Sequence, residues 1–281
     1  MNTGCKWWRA AGAALLGLGL LLSGGVLLHA TVARATVPMV PCPLPPEEAS
    51  SLSPTDPLSR TAFLPLVCND WKSLNWSYRG ASLAGYWHTS YESPNACAIV
   101  DYLAGIGANS VAVIVTWYQD SLTASTLAPD PQQTPTDESL ADIIDYAHAQ
   151  GLSVMLKPHV DPGTEWRGEI GPDDEAAWFA SFEDFVLHYA RMAEAHDVEL
   201  FCLGTEMASM TRGTARQSRW AQLAAQVRQE YGGQITYAAH EYEVLGSETV
   251  DPLPPEFWEP FDYAATTVYY GLSPAITPTS T

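Results

Sequence analysis

Six short apolar runs, alternating with longer amphipathic stretches, limit the folds open to this chain more than any other feature. The runs are "RGASLAGY" (79–86), "NSVAVIVTW" (109–117), "LSVMLKPHV" (152–160), "VELFCLGTE" (198–206), "QITYAAHEY" (234–242) and "FDYAATTVYY" (261–270). Most are apolar at successive positions, as strands of a parallel sheet covered by helices must be. The stretches between them carry helix end signals. Ser93 and Pro94 open "SPNACAIVDYLAGIG", and Thr136 or Asp137 opens a segment that puts Leu140, Ile143, Ile144 and Ala147 on one face before Gly151. "PDDEAAWFASFEDFVLHYARMAEAH" crowds acids into its first turn, where the helix dipole favours them, and "RWAQLAAQVRQEYGG" stops at Gly232 and Gly233.

Strand and helix alternating in this way predict an α/β fold of the (β/α)8 TIM-barrel type. Six of the eight units are legible, and the Pro- and Thr-rich "GLSPAITPTST" after Tyr270 cannot supply two more. A doubly wound open sheet would remove the deficit, but the phosphate-binding Gly-x-Gly-x-x-Gly after the first strand is absent. The expectation is therefore an incomplete barrel over residues 71–281.

What precedes it has a different character. Lys6 and Arg9 lie before an uncharged stretch from Ala10 to Leu28, which closes on Ala33-Arg34-Ala35. This pattern predicts an export signal over 1–35. An uncleaved anchor is the alternative, since about 20 apolar residues cross a bilayer; both put the body of the protein outside the cytoplasm, extracellular or at the cell surface. Residues 36–70 are dense in Pro and Ser without period and read as a linker. Without residues 1–35 the chain keeps 10 basic residues against 32 acidic ones, a balance of −22. Such charge argues against a nucleic-acid partner, while a neutral polysaccharide is indifferent to it. Four cysteines remain: Cys42 and Cys68 flank the linker and could close it into a loop, and Cys202 reads as a buried free thiol.

A barrel gathers its chemistry at the C-terminal ends of its strands, so the residues that close each run are the candidates. They include Trp87, Trp117, Lys157, His159, Glu206, His240 and Tyr269, with Arg167 and Trp166 shortly after the third run. Glu206 ends an apolar run, an expensive place for a carboxyl unless water, partners or function compensate. A helix-capping acid is the plainer reading of the same placement. Flat aromatic rings can stack on the C–H faces of sugars, although many of ten tryptophans must be packing residues. His159 and Asp161 are spaced as a metal pair could be, but no third ligand follows at a recognisable spacing, and neither metal nor cofactor is expected.

Taken together, "VTWYQD", "GLSVMLKPHVD", "WRGEI", "WFASFEDFVLHYARMAEAHDVELFCLGTEM", "YGGQITYAAHEYE" and "FWEPFDYAATTVYYGL" resemble, in order and spacing, family 113 of the glycoside hydrolases. The likeness spans about Tyr78 to Leu272. It implies a retaining endo-β-1,4-mannanase on a (β/α)8 barrel, acting on mannan or manno-oligosaccharides without a cofactor. The glutamate of "GTE", here Glu206, would be the acid/base. Trp87, Trp117, Lys157, His159, Arg167, His240 and Tyr269 would form the substrate cleft. Retention of configuration needs a second carboxyl about 5 to 5.5 Å away. The family's nucleophile follows strand seven, so it is expected beyond Thr281, in a longer enzyme of which this would be a fragment. Glu241 and Glu243 follow strand five and are poorly placed to replace it. A carbohydrate-binding protein without catalysis is the alternative.

Overall fold

The computed structural model describes residues 78–247 and 251–268. The expected export segment, the linker with Cys42 and Cys68, Tyr269 and the C-terminal tail lie outside the described residues. Six strands form one all-parallel sheet in chain order: β1 (Gly80–Ala84), β2 (Ser110–Tyr118), β3 (Ser153–Asp161), β4 (Leu200–Thr205), β5 (Gln234–His240) and β6 (Tyr263–Thr267). Between them run α1 (Pro94–Ile106), α2 (Asp137–Ala149), α3 (Glu175–Ala195), α4 (Thr214–Glu230) and the short α5 (Glu241–Leu245) and α6 (Pro255–Trp258). All belong to one compact unit.

The sheet is curled. A hollow of about 300 Å³ is lined by residues of both edge strands, Gly80 and Ser82 of β1 and Ala265 and Thr267 of β6, together with Ala112, Met155, Lys157 and Ala238. At its foot the Tyr78 hydroxyl donates to Gln234 Oε1 at 2.9 Å, and the Tyr78 and Tyr263 rings meet edge to face at 6.0 Å. Neighbours in chain order, parallel pairing and curl are the features of a (β/α)8 barrel, present here as six of its strands.

Local chemistry sets the helix ends. Ser93 Oγ accepts from Ala96 N–H at 3.3 Å, with Pro94 at the first helical position, and Gly107 ends α1 at φ 86°. Thr136 caps α2 by accepting from Ser139 N–H, and Asp174 caps α3 by accepting from Ala177 N–H. α4 opens at Thr214, five residues before the apolar period becomes visible at Arg219, because its first turns are polar and carry no hydrophobic signal.

The core fills the space between the sheet's convex face and the helices. In β3 the alternation is complete: Val154, Leu156, Pro158 and Val160 are buried under the helices, while Met155, Lys157, His159 and Asp161 face the concave side. α3 brings Trp178, Phe182, Phe185 and Tyr189 down on the sheet, with Trp178 stacked on Phe182 at 4.9 Å. Each such side chain, fully buried, contributes about 1.5–3 kcal/mol. Of the described cysteines, Cys202 is a buried free thiol, whereas Cys97 is disulfide-bonded.

Three histidine–carboxylate pairs tie α2 to its neighbours: His188 to Asp137 at 2.9 Å, His196 to Asp145 at 2.9 Å and His148 to Glu199 at 3.1 Å. The hydrogen bond to Asp137 raises the His188 pKa above its usual 6.5, against the opposing effects of burial and Arg191. A raised folded-state value means that this pair stabilises fully below pH 6.5 and progressively less as pH rises through the elevated value. The thermal-stability advantage of the wild type over His188→Gln should therefore shrink between about pH 6 and pH 8. An advantage that is flat or grows over that interval contradicts the pairing.

Candidate active site

Glu206 does not continue the strand that precedes it. β4 and β5 pair in simple register from Leu200↔Gln234 to Cys202↔Thr236, but the next pair is Thr205↔Ala238, so β4 carries one extra residue. The bulge turns the strand end, and Glu206 then adopts φ 54°, in the left-handed region uncommon for residues other than glycine. β3 contributes to the opening as well. Its register with β4 covers only Met155 and Leu156, and Pro158, with no N–H to donate, lies just beyond. Upper β4 is thus freed from β3 where Glu206 must swing.

The carboxyl is held from two sides. The Trp166 indole N–H donates to Glu206 Oε2 at 3.3 Å. The hydroxyl of Thr267, on the concave side of β6's last turn of pleat, donates to Oε1. The Glu206 backbone N–H donates to the Ala238 carbonyl at 2.8 Å. Trp166 is itself fitted over a glycine: a Cβ at Gly168 would stand 2.4 Å from the indole ring, so a side chain there would displace it. Edge-on packing of Trp166 against His240 at 4.9 Å completes this wall.

Behind the carboxyl lies a buried network. The Met207 N–H donates to the Tyr237 hydroxyl at 2.8 Å, and that hydroxyl donates to Glu243 Oε1 at 2.8 Å. Thr211 Oγ1 donates to the same oxygen at 2.8 Å, and His240 N–H donates to Oε2 at 2.7 Å. Glu243 is only 2% exposed, and burial raises its pKa while these donors work the other way. Its carboxyl is committed to holding the loop that carries Glu206, which leaves it unable to act as a nucleophile.

The other candidates divide by the face they occupy. Lys157 and His159 point to the concave side of β3, Lys157 deeper in the hollow. Arg167 begins a 3-10 turn, Arg167–Glu169, whose Gly168 carbonyl accepts from Ser209 N–H in the loop after Glu206. His159 Nε2 and Arg167 Nη1 are buried with no protein partner, free to meet hydroxyl groups of a ligand. Burial, then the charges of Arg167 and Lys157, hold His159 down to about pKa 2. The ring should keep a neutral nitrogen-15 NMR signature to about pH 4; protonation near its ordinary value of 6.5 would contradict the placement. Because the folded-state value is depressed, the matching stability is present above pH 6.5 and is lost as pH falls below it.

His240 lies at the rim, where its ring also caps α5 by accepting from Tyr242 N–H. Trp87 is 62% exposed on the loop after β1, at the same end of the sheet. Trp117 must be corrected. It sits on the convex side of β2, its indole N–H donating to the Tyr189 hydroxyl at 3.1 Å and its ring 4.9 Å from Phe185 of α3, so it is a packing residue and no part of the cleft. Thr267 was not legible as a site residue. Its one signal is parity, since it shares a face with Tyr263 and Ala265 of β6. Tyr118 of β2 also reaches this rim, opposite Asp161; burial and then the Asp161 charge push its pKa up to about 12. Among the described residues no group of three or more His, Cys, Asp or Glu side chains is arranged to hold a metal ion.

A curled all-parallel sheet with an ionisable group turned inward at the C-terminal rim defines a barrel-type protein with its site at the strand ends. The family model for Glycoside Hydrolase Family 113 matches residues 77–277. The chain belongs to glycoside hydrolase family 113. Among solved structures it is similar to the GH113 β-mannanase AaManA from Alicyclobacillus acidocaldarius in complex with ManMIm, with 32% identity, 69% of this chain and 61% of that one covered, and a TM-score of 0.59. A GH113 β-1,4-mannanase, solved as a complex, is 26% identical over 69% of this chain and 62% of its own, also with a TM-score of 0.59. The chain thus spans about six-tenths of the length of these relatives. No curated protein matches it.

Proposed function

We propose that the protein is an exported glycoside hydrolase that cleaves β-1,4-linked mannan, or oligosaccharides from it, with retention of configuration, and that Glu206 is its acid/base. The observation that carries this reading is the Glu206 carboxyl itself, turned inward by a bulge and a left-handed backbone and held between Trp166 and Thr267. A general acid must stand at a fixed distance from the oxygen it protonates, and two donors hold this one. His159, Arg167, His240 and Trp87 would bind sugar hydroxyls and faces, with Lys157 beneath them. Substrate class is supported by the similar mannanases, and export by the sequence of residues 1–35. Glu243 is excluded as the nucleophile by the three donors that hold its carboxyl.

The test is hydrolysis of β-mannan by the full gene product, followed by proton NMR. New reducing ends that appear first as the β-anomer, with little release from xylan or β-glucan, are the expected result. Retention of the protein on a mannan gel without release of reducing ends would replace this reading with that of a carbohydrate-binding protein.

A further inference from the structure

We propose that Thr267 is a positioning residue for Glu206: by holding Oε1 it leaves Oε2, beside the Trp166 indole, as the oxygen that exchanges the catalytic proton. The inference rests on the reading of Glu206 as acid/base. Its basis is the geometry around a single hydroxyl. Thr267 Oγ1 contacts two acceptors, Glu206 Oε1 and the Ala239 carbonyl at 3.2 Å, but has one hydrogen to give. Toward the ionised carboxylate it donates to Oε1, the stronger, charged acceptor. Once Glu206 carries its proton on Oε2, Oε1 is still an acceptor, and the Thr267 hydroxyl keeps its hydrogen on that oxygen. The carboxyl plane is then fixed through both halves of the reaction. In the first, the Oε2–H bond breaks and the proton passes to the departing glycosidic oxygen, which takes the electron pair of the broken C–O bond while the second carboxylate that retention requires bonds to the anomeric carbon. In the second, Oε2 removes a proton from the water whose oxygen bonds to the anomeric carbon, and the second carboxylate leaves with the electron pair of its bond to that carbon.

A backbone that already favours β structure makes the test clean, because valine copies the shape of threonine without its hydroxyl. In the full gene product Thr267→Val should lower kcat/KM on an unactivated manno-oligosaccharide by about ten- to hundredfold, a fraction of what a general acid supplies. On a dinitrophenyl β-mannoside, whose leaving group needs no proton, kcat/KM should fall less than about threefold. Thr267→Ser should recover most of the loss. Equal losses on both substrates, or no recovery by serine, would mean a merely structural threonine and overturn the proposal. In a crystal of Thr267→Val the Glu206 carboxyl should leave its place beside Trp166 Nε1; an unmoved carboxyl overturns the proposal without reference to turnover. Full oligosaccharide activity in Glu206→Gln, by contrast, removes the acid/base reading itself.

Discussion

Under the proposed function, Glu206→Gln should lower kcat/KM for β-1,4-mannan by about a thousandfold, within the range that a positioned general acid contributes. Glutamine keeps the size of the side chain and one oxygen that can accept a hydrogen bond. It has no proton to give at the pH of the reaction, and its amide nitrogen accepts no hydrogen bond, so only one of Trp166 and Thr267, the donors that now meet the two carboxylate oxygens, keeps an acceptor. A thousandfold corresponds to about 4 kcal/mol of transition-state stabilisation. The fold should be indifferent, since the carboxyl lies at the rim and Tyr237, Glu243 and Thr211 hold the loop behind it without its help. Release of reducing ends measured at several mannan concentrations, with a melting curve for each variant, separates the two effects. A wild-type rate in Glu206→Gln would remove the mechanism.

Glu243→Ala should do the reverse, striking stability first. The substitution deletes the acceptor of three donors, the Tyr237 and Thr211 hydroxyls and the His240 N–H, inside a region where water cannot replace it. Leaving buried donors without partners costs about 1–3 kcal/mol each, so a loss of about 3–5 kcal/mol is expected once the site relaxes. For a domain of this size that lowers Tm by roughly 6–20 °C. Activity should decline as well, because Tyr237 receives the N–H of Met207, the residue after Glu206. Glu243→Gln, which retains one acceptor oxygen but turns an amide toward the His240 N–H, should fall between. A melting curve for Glu243→Ala that overlays the wild type would show that the network carries no weight.

The two carboxyls also show how far the sequence could be read. Both follow apolar strand runs and both are written in the same short-range vocabulary, Gly-Thr-Glu and His-Glu-Tyr-Glu. Nothing local distinguishes the one turned to the cleft from the one buried behind it. The difference comes from an extra residue in β4, which only pairing with β5 makes visible, and from the capping of α5 by His240, which fixes Glu243 inward. Trp117 failed for a related reason. The run "VAVIVTWY" is apolar at successive positions, so its parity cannot be read, and registration of Thr116 against His159 was needed to show that Trp117 faces the helices.

The polypeptide alone dictated the order of elements and their type, because backbone hydrogen bonding and the periods of strand and helix act over a few residues and leave a local trace. Which side of each strand became the inner wall, and therefore which polar groups meet at one rim, was decided only when the sheet curled. That choice depends on register between segments far apart in the chain, where shifting one strand by a single residue exchanges its two faces.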